Sequence, residues 1–173
     1  MMAMVAIMIG VTLTSLSDAR NQKAVEGEAR KLAATIREVQ NYALTGKVFF
    51  HDHDSNPATD SIPRVICGVG IFNIGDEDES YRTSYAYRNG TSCADPVVFV
   101  EISPISLSNG VAFSGATNAF YFRVPRGDLM NRSSVAIVTP QLIVLQKNTA
   151  NYSICVYPSG AVTETASVLG SCP

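Results

Sequence analysis

The densest set of ligand-type side chains in this chain is His51-Asp52-His53-Asp54, two imidazoles and two carboxylates in four consecutive positions. Imidazole and carboxylate donors suit zinc and related cations. On a polar loop with alternating side-chain directions they make an open, mixed site, and a solvated loop is the plainer reading. Asp76-Glu77-Asp78-Glu79 could gather oxygens for calcium, but it lacks the spacing of a calcium loop and fits a charged surface turn. Serines are plentiful, yet no Gly-x-Ser-x-Gly elbow accompanies the two histidines, which argues against hydrolase chemistry. The triplets beginning at Asn89, Asn131 and Asn151 satisfy the rule for asparagine glycosylation on paper. With no converging catalytic, metal or cofactor set, the expectation is a protein that is not an enzyme and carries no cofactor.

Cysteine is the residue type whose chemistry is most informative. Cys67, Cys93, Cys155 and Cys172 are even in number, form no CxxC pair, and lie in a Thr-, Ser- and Val-rich region. That arrangement points to disulfides in an oxidising compartment. Three connectivities are open to four cysteines. The local one, Cys67 with Cys93 and Cys155 with Cys172, is preferred because each pairing encloses a plausible hairpin and the second would fasten the C-terminal tail. A loop of about 18 residues closed in this way gains about 3 kcal/mol from restricting the unfolded chain.

The elements that must position these residues begin with one long helical pattern. Residues 1–16 read MMAMVAIMIGVTLTSL without a charge; Met1, Met4, Val5, Ile7, Met8, Ile9, Val11, Leu13 and Leu16 supply its bulk. With no linker the pattern turns amphipathic, carrying Val25, Ala29, Leu32, Ile36, Val39 and Ala43 at alternating spacings of four and three. Such spacing puts one apolar stripe on a helix and leaves Arg20, Lys23, Glu26, Arg30 and Glu38 facing outward. The apolar part reaches about 24 Å, short of the core of about 30 Å that a spanning helix must cross. No basic region precedes it and no small-residue cleavage site follows, so it is expected to be a retained segment lacking a few leading residues rather than a removable signal.

Composition supports a folded chain. At 173 residues and 46% hydrophobic content there is enough for one real core. The formal charge of −2 gives no broad electrostatic footprint for nucleic acid. Thr45-Gly46 ends the helix, since glycine takes the left-handed C-terminal position without penalty. Beyond it, β-branched and aromatic runs predict strands at Val48 to Phe50, Arg64 to Phe72, Arg82 to Tyr87, Val97 to Ile102, Phe120 to Val124, Ser133 to Val138, Gln141 to Leu145, Tyr152 to Tyr157 and Ala161 to Thr165. His51 to Ser61 is expected as a polar loop, Gly75 to Ser80 as an acidic one, and Pro158-Ser159-Gly160 as a tight turn between the last two strands. The fold class is α+β: a helical unit at 1–46 packed on an antiparallel β domain at 47–173.

Three stretches together resemble a known family. The hairpin from Tyr152 to Thr163, with its Pro-Ser-Gly turn, looks like the closing strand pair of the type IV pilin-like family, in particular minor pseudopilins and minor pilins of the GspH and FimT type. Phe120-Tyr-Phe-Arg-Val-Pro-Arg-Gly127 resembles that family's Phe-Asp-Pro-Arg-Gly segment, and Glu28 to Gly46 is similar to its helical shaft. The family's leading Gly and Phe-Thr-Leu-Ile-Glu motif is absent, and residues 1–8 would fit directly behind it. Members that bind DNA carry arginines after the last turn, where Ala161, Thr163 and Glu164 stand here, so the departure argues against a DNA-receptor role.

The resemblance implies a structural subunit of an extracellular type IV pilus, held in the inner membrane until assembly machinery extracts it into the filament. Partners would be further copies of itself, other pilins and that machinery. Residues 1–16 would pack against the same segment of other copies, with Ala3, Ala6 and Gly10 allowing close helix approach. A minor pseudopilin at the tip of a secretion or pilus apparatus is the alternative, and a membrane-anchored extracytoplasmic binding module a second one.

Overall fold

The structure is a computed structural model that describes residues 2–46, 64–72, 79–89, 93, 98–115, 119–166 and 171–173. Helix α1 (Met2–Thr45) runs unbroken for 44 residues, about 66 Å at 1.5 Å per residue. It stops where expected: Gly46 takes φ 63, and the Thr45 hydroxyl bonds back to the Asn41 carbonyl at 2.8 Å. From Leu16 to Arg20 every residue is exposed, and burial begins at Asn21. Val25, Ala29, Leu32, Ile36 and Ala43 are fully buried and Val39 nearly so. Ala33 is buried with them, which widens the apolar stripe enough to meet two sheets rather than one.

Nine strands follow among the described residues: β1 (Arg64–Phe72), β2 (Ser80–Asn89), β3 (Val98–Ser106), β4 (Ala112–Phe113), β5 (Phe120–Arg123), β6 (Leu129–Asn131), β7 (Gln141–Lys147), β8 (Ala150–Val156) and β9 (Val162–Thr165). They form a five-stranded sheet of order β3-β2-β1-β5-β6 and a four-stranded sheet of order β4-β7-β8-β9, and every paired strand is antiparallel. Helix α1 contacts β1 and β5 of the first sheet and β7, β8 and β9 of the second. The main core therefore gathers Leu32 and Ile36 with Val69, Ile71, Phe120 and Phe122 on one side and Ile143, Leu145 and Ile154 on the other.

The five-stranded sheet is covered on its second face as well, by Cys67, Phe72, Ala86, Tyr121 and Met130 with Cys93 and Phe99 against them. Successive strand residues point to opposite faces, so β5 buries Phe120 and Phe122 toward the helix and Tyr121 away from it. Two glycines in β1 make room for that ring: a Cβ at Gly68 would lie 2.7 Å from Tyr121 Cε2, and one at Gly70 would lie 2.7 Å from Tyr121 Cα. Across this floor the Tyr121 ring meets Phe99 edge-on, with centroids 5.6 Å apart.

Strand reading from the sequence needs three corrections. Ser133 to Val138 is not a strand; it touches the sheet only through a bridge between Met130 and Ala136. The reason is local: the Asn131 side-chain oxygen accepts the backbone N–H groups of Ser133 and Val135, each at 2.9 Å, and Ser134 sits at φ 59, so the backbone there forms an Asx turn instead of a ladder. The two short strands β4 and β6 were not expected. The run Val48 to Phe50 and the His51 to Ser61 loop lie outside the described residues, as does most of Gly75 to Ser80.

Candidate functional site

The outer helix face is charged and partly paired. Arg30 meets Glu26 at 2.5 Å, and Arg37 binds Glu164 at 2.7 Å and the Val162 carbonyl at 3.1 Å, tying the shaft to β9. Arg20, Lys23, Arg30 and Glu38 are exposed, while Glu26 is half-buried. Glu28 breaks the pattern, because it is a carboxylate only 5% exposed on the inner side of the helix. It accepts hydrogen bonds from Lys31 at 2.7 Å and from the Ser108 hydroxyl. Burial pushes its pKa up, but the bonds from Lys31 and Ser108 and the Lys31 charge outweigh that and hold it below its ordinary value. About two turns further on, Thr35 and the Tyr81 hydroxyl lie 3.3 Å apart. Burial is the first cause of the raised Tyr81 pKa.

At the other end of the shaft two turns abut the helix one turn apart. The first is Val124-Pro125-Arg126-Gly127, with a cis Val124–Pro125 bond; Gly127 N–H donates to the Arg123 carbonyl at 2.7 Å and Arg123 N–H to the Asp128 carbonyl at 2.9 Å. Gly127 has φ 72, and a Cβ there would lie 2.7 Å from Leu44 Cδ2. The second is Pro158-Ser159-Gly160, closed by Gly160 N–H to the Tyr157 carbonyl at 2.7 Å. Gly160 has φ 84, and a side chain at that position would run into Gln40, whose amide reaches the Ser159 carbonyl at 3.5 Å. Both positions favour glycine through their positive φ, and a Cβ at either would push aside the end of a helix side chain. The two segments that carry the family resemblance thus meet positions 40 and 44 of α1.

Between these turns lies an open recess of about 370 Å³ lined by Leu129, Met130, Ile137, Val138 and Pro158 with Arg123 and Asp128 at its edge. The loop beside it is fastened by Asn131 N–H to the Val135 carbonyl and Ile137 N–H to the Leu129 carbonyl, both at 2.9 Å. That fixed loop presents two apolar side chains to solvent, Val135 at 59% and Val138 at 82% exposure. Arg123 at the recess edge is exposed, as are Arg126 and Arg132 in the neighbouring turns, and among the described residues none of their guanidinium groups makes a hydrogen bond or ion pair. The recess thus combines an apolar floor with one cation, Arg123, and one carboxylate, Asp128, at its edge.

The cysteines stand as two bonded pairs, Cys67 with Cys93 and Cys155 with Cys172, their Cα atoms 5.4 and 5.7 Å apart. The second fastens the tail to β8, assisted by the Tyr157 hydroxyl donating to the Pro173 carbonyl at 3.2 Å. Among the described residues no three His, Cys, Asp or Glu side chains converge as a metal site; His51 to Asp54 and Asp76 to Asp78 lie outside them. Asn131 is engaged in its turn, Asn151 donates to the Thr149 carbonyl at 3.2 Å, and Asn89 ends β2. Among the described residues no helix is long and apolar enough to cross a membrane. Glu28, the recess and the glycine pair Gly68 and Gly70 were not anticipated. Glu28 and Lys31 at i,i+3 look like any surface pair; only Gly-x-Gly opposite an aromatic triplet could have pointed to the second aromatic layer.

No family model matches the chain, and no curated protein or solved structure matches it either.

Proposed function

We propose that this chain is a structural subunit of an extracellular filament of the type IV pilus kind, residing in the inner membrane before assembly and polymerising through residues 1–16. One observation carries the reading: on a single helix, burial by its own fold starts at Asn21, and the turn before it, residues 16–20, is exposed. Burial runs from Asn21 to Ala43, whereas Leu16 is 50% exposed and its neighbours up to Arg20 are exposed too. The helix continues to Met2, about 28 Å beyond Arg20. Residues 1–16 are uncharged and largely apolar in sequence, and such a segment is covered first by lipid and then by other copies in the proposed filament. The order of the helix, the Pro-Arg-Gly turn and the Pro-Ser-Gly turn supports the same assignment. So does a pair of disulfides, which persist in an oxidising compartment.

A subunit restricted to the filament tip is the second reading, favoured by the C-terminal motifs of the minor pseudopilin type. Substitution of Ala6 or Gly10 by Asp tests the role of the apolar segment. Polymer should be lost while the β domain keeps its circular dichroism and both disulfides; polymer at wild-type yield would place the assembly contacts elsewhere. Immunogold labelling along the filament or only at its end separates the two readings.

A further inference from the structure

Three triplets of the chain have the form Asn-x-Ser/Thr, and the fold treats them differently. Asn151 lies within β8, opposite Gln146. Its amide donates to the Thr149 carbonyl at 3.2 Å, and the serine that completes its triplet, Ser153, is fully buried. The triplet beginning at Asn89 runs into residues 90 and 91, outside those described. Asn131-Arg132-Ser133 instead leaves the end of β6, the last strand of the five-stranded sheet, and turns through Arg132 and Ser133, both exposed.

That turn engages every polar group of Asn131 but one. Its backbone N–H donates to the Val135 carbonyl at 2.9 Å and its carbonyl accepts the Ser134 N–H at 3.0 Å, while Oδ1 accepts the N–H groups of Ser133 and Val135 at 2.9 Å each. Nδ2 has no partner among the described residues. Nor is it enclosed, since among the described residues the buried side-chain nitrogen or oxygen left without a partner is the Ser84 hydroxyl alone. Exchanging the two ends of the amide would forfeit both bonds to Oδ1, so the nitrogen is held facing outward. The Ser133 hydroxyl is likewise without a partner among the described residues.

We propose that Asn131 is a site of asparagine-linked glycan attachment, with an oligosaccharide carried on a lipid diphosphate as the donor. Nδ2 forms a bond to the anomeric carbon of the sugar, the bond from that carbon to the diphosphate oxygen breaks, the lipid diphosphate leaves, and one Nδ2 proton passes to a base of the transferase. Two N–H donors on Oδ1 stabilise the charge that gathers on that oxygen as the proton departs. The glycan sets polar bulk beside Val135, 59% exposed, and beside the outer edge of β6, where an open strand invites pairing with other chains. Attachment needs a chain that has left the cytosol, as its disulfides do, and it goes beyond the filament reading without depending on it.

Peptide mapping by mass spectrometry of the full-length protein from its native source tests the assignment. The peptide holding Asn131 should carry a sugar mass that fragmentation places on the asparagine. Asn131→Asp keeps the oxygen that holds the turn and removes the nitrogen, and Ser133→Ala keeps the N–H and removes the hydroxyl. Both should abolish the added mass with circular dichroism and disulfides unchanged, whereas Ser133→Thr should retain it. An unmodified Asn131 peptide overturns the proposal, as does sugar on Asn151 or Asn89 alone. So does a mass that survives Asn131→Asp, which would put the sugar on a serine of the turn.

Discussion

At the scale of single residues, Glu28 links the shaft to the loop after β3 by a charge held inside the fold. Its folded pKa is below the ordinary 4.5, so the ionised form is favoured by folding. The stability it contributes is fully present above the unfolded value and is lost as pH falls through the folded one. Glu28→Gln should lower stability by about 1–2 kcal/mol at neutral pH, and the gap should close below pH 4.5. Urea titrations of both proteins at pH 7 and below pH 4 check this; a gap that persists in acid would mean that packing, not charge, is what the substitution removes. This residue was illegible beforehand because periodicity marks apolar positions. A glutamate at the margin of the stripe, three residues from a lysine, has the signature of a solvent-exposed pair.

At the scale of elements, the helix was legible almost throughout. Positions Val25 to Ala43 alternate by four and three, and each lies in the core, because a long shaft against a flat surface has few ways to hide its apolar side. Strands were legible where burial on both faces makes a continuous apolar run, as in Phe120 to Phe122, and illegible where a single side chain decides. The Asn131 side chain takes the N–H groups of Ser133 and Val135 out of any ladder, which composition alone cannot reveal. The Pro158-Ser159-Gly160 turn was readable as a turn, but its contact with Gln40 belongs to tertiary packing. Tail attachment is the element-scale claim most open to measurement. Removing the Cys155–Cys172 bond, which spans 17 residues, by Cys155→Ser with Cys172→Ser should cost about 2–4 kcal/mol while leaving Cys67–Cys93 formed. Thermal unfolding and peptide mapping would read both; an unchanged midpoint would show that the tail is held by its other contacts, among them Tyr157 to Pro173.

At the scale of the whole molecule, one chain combines a two-sheet β domain with a long helix whose burial against it starts at Asn21. The β domain covers α1 from Asn21 onward, and its two disulfides close it without reference to residues 1–16. Burying such an apolar segment against other copies is worth on the order of 10 kcal/mol at about 25 cal/mol per Å², enough to exceed the freedom lost on association. In the proposed filament, contacts between β domains would set register and polarity rather than supply most of the stability. The most direct measurement compares sedimentation of the full-length chain after detergent removal with that of a chain lacking residues 1–17. The account predicts that the full-length chain forms large polymers while the shortened one sediments as a folded monomer with both disulfides intact. Polymers of the shortened chain, or a full-length chain that remains monomeric, would contradict it.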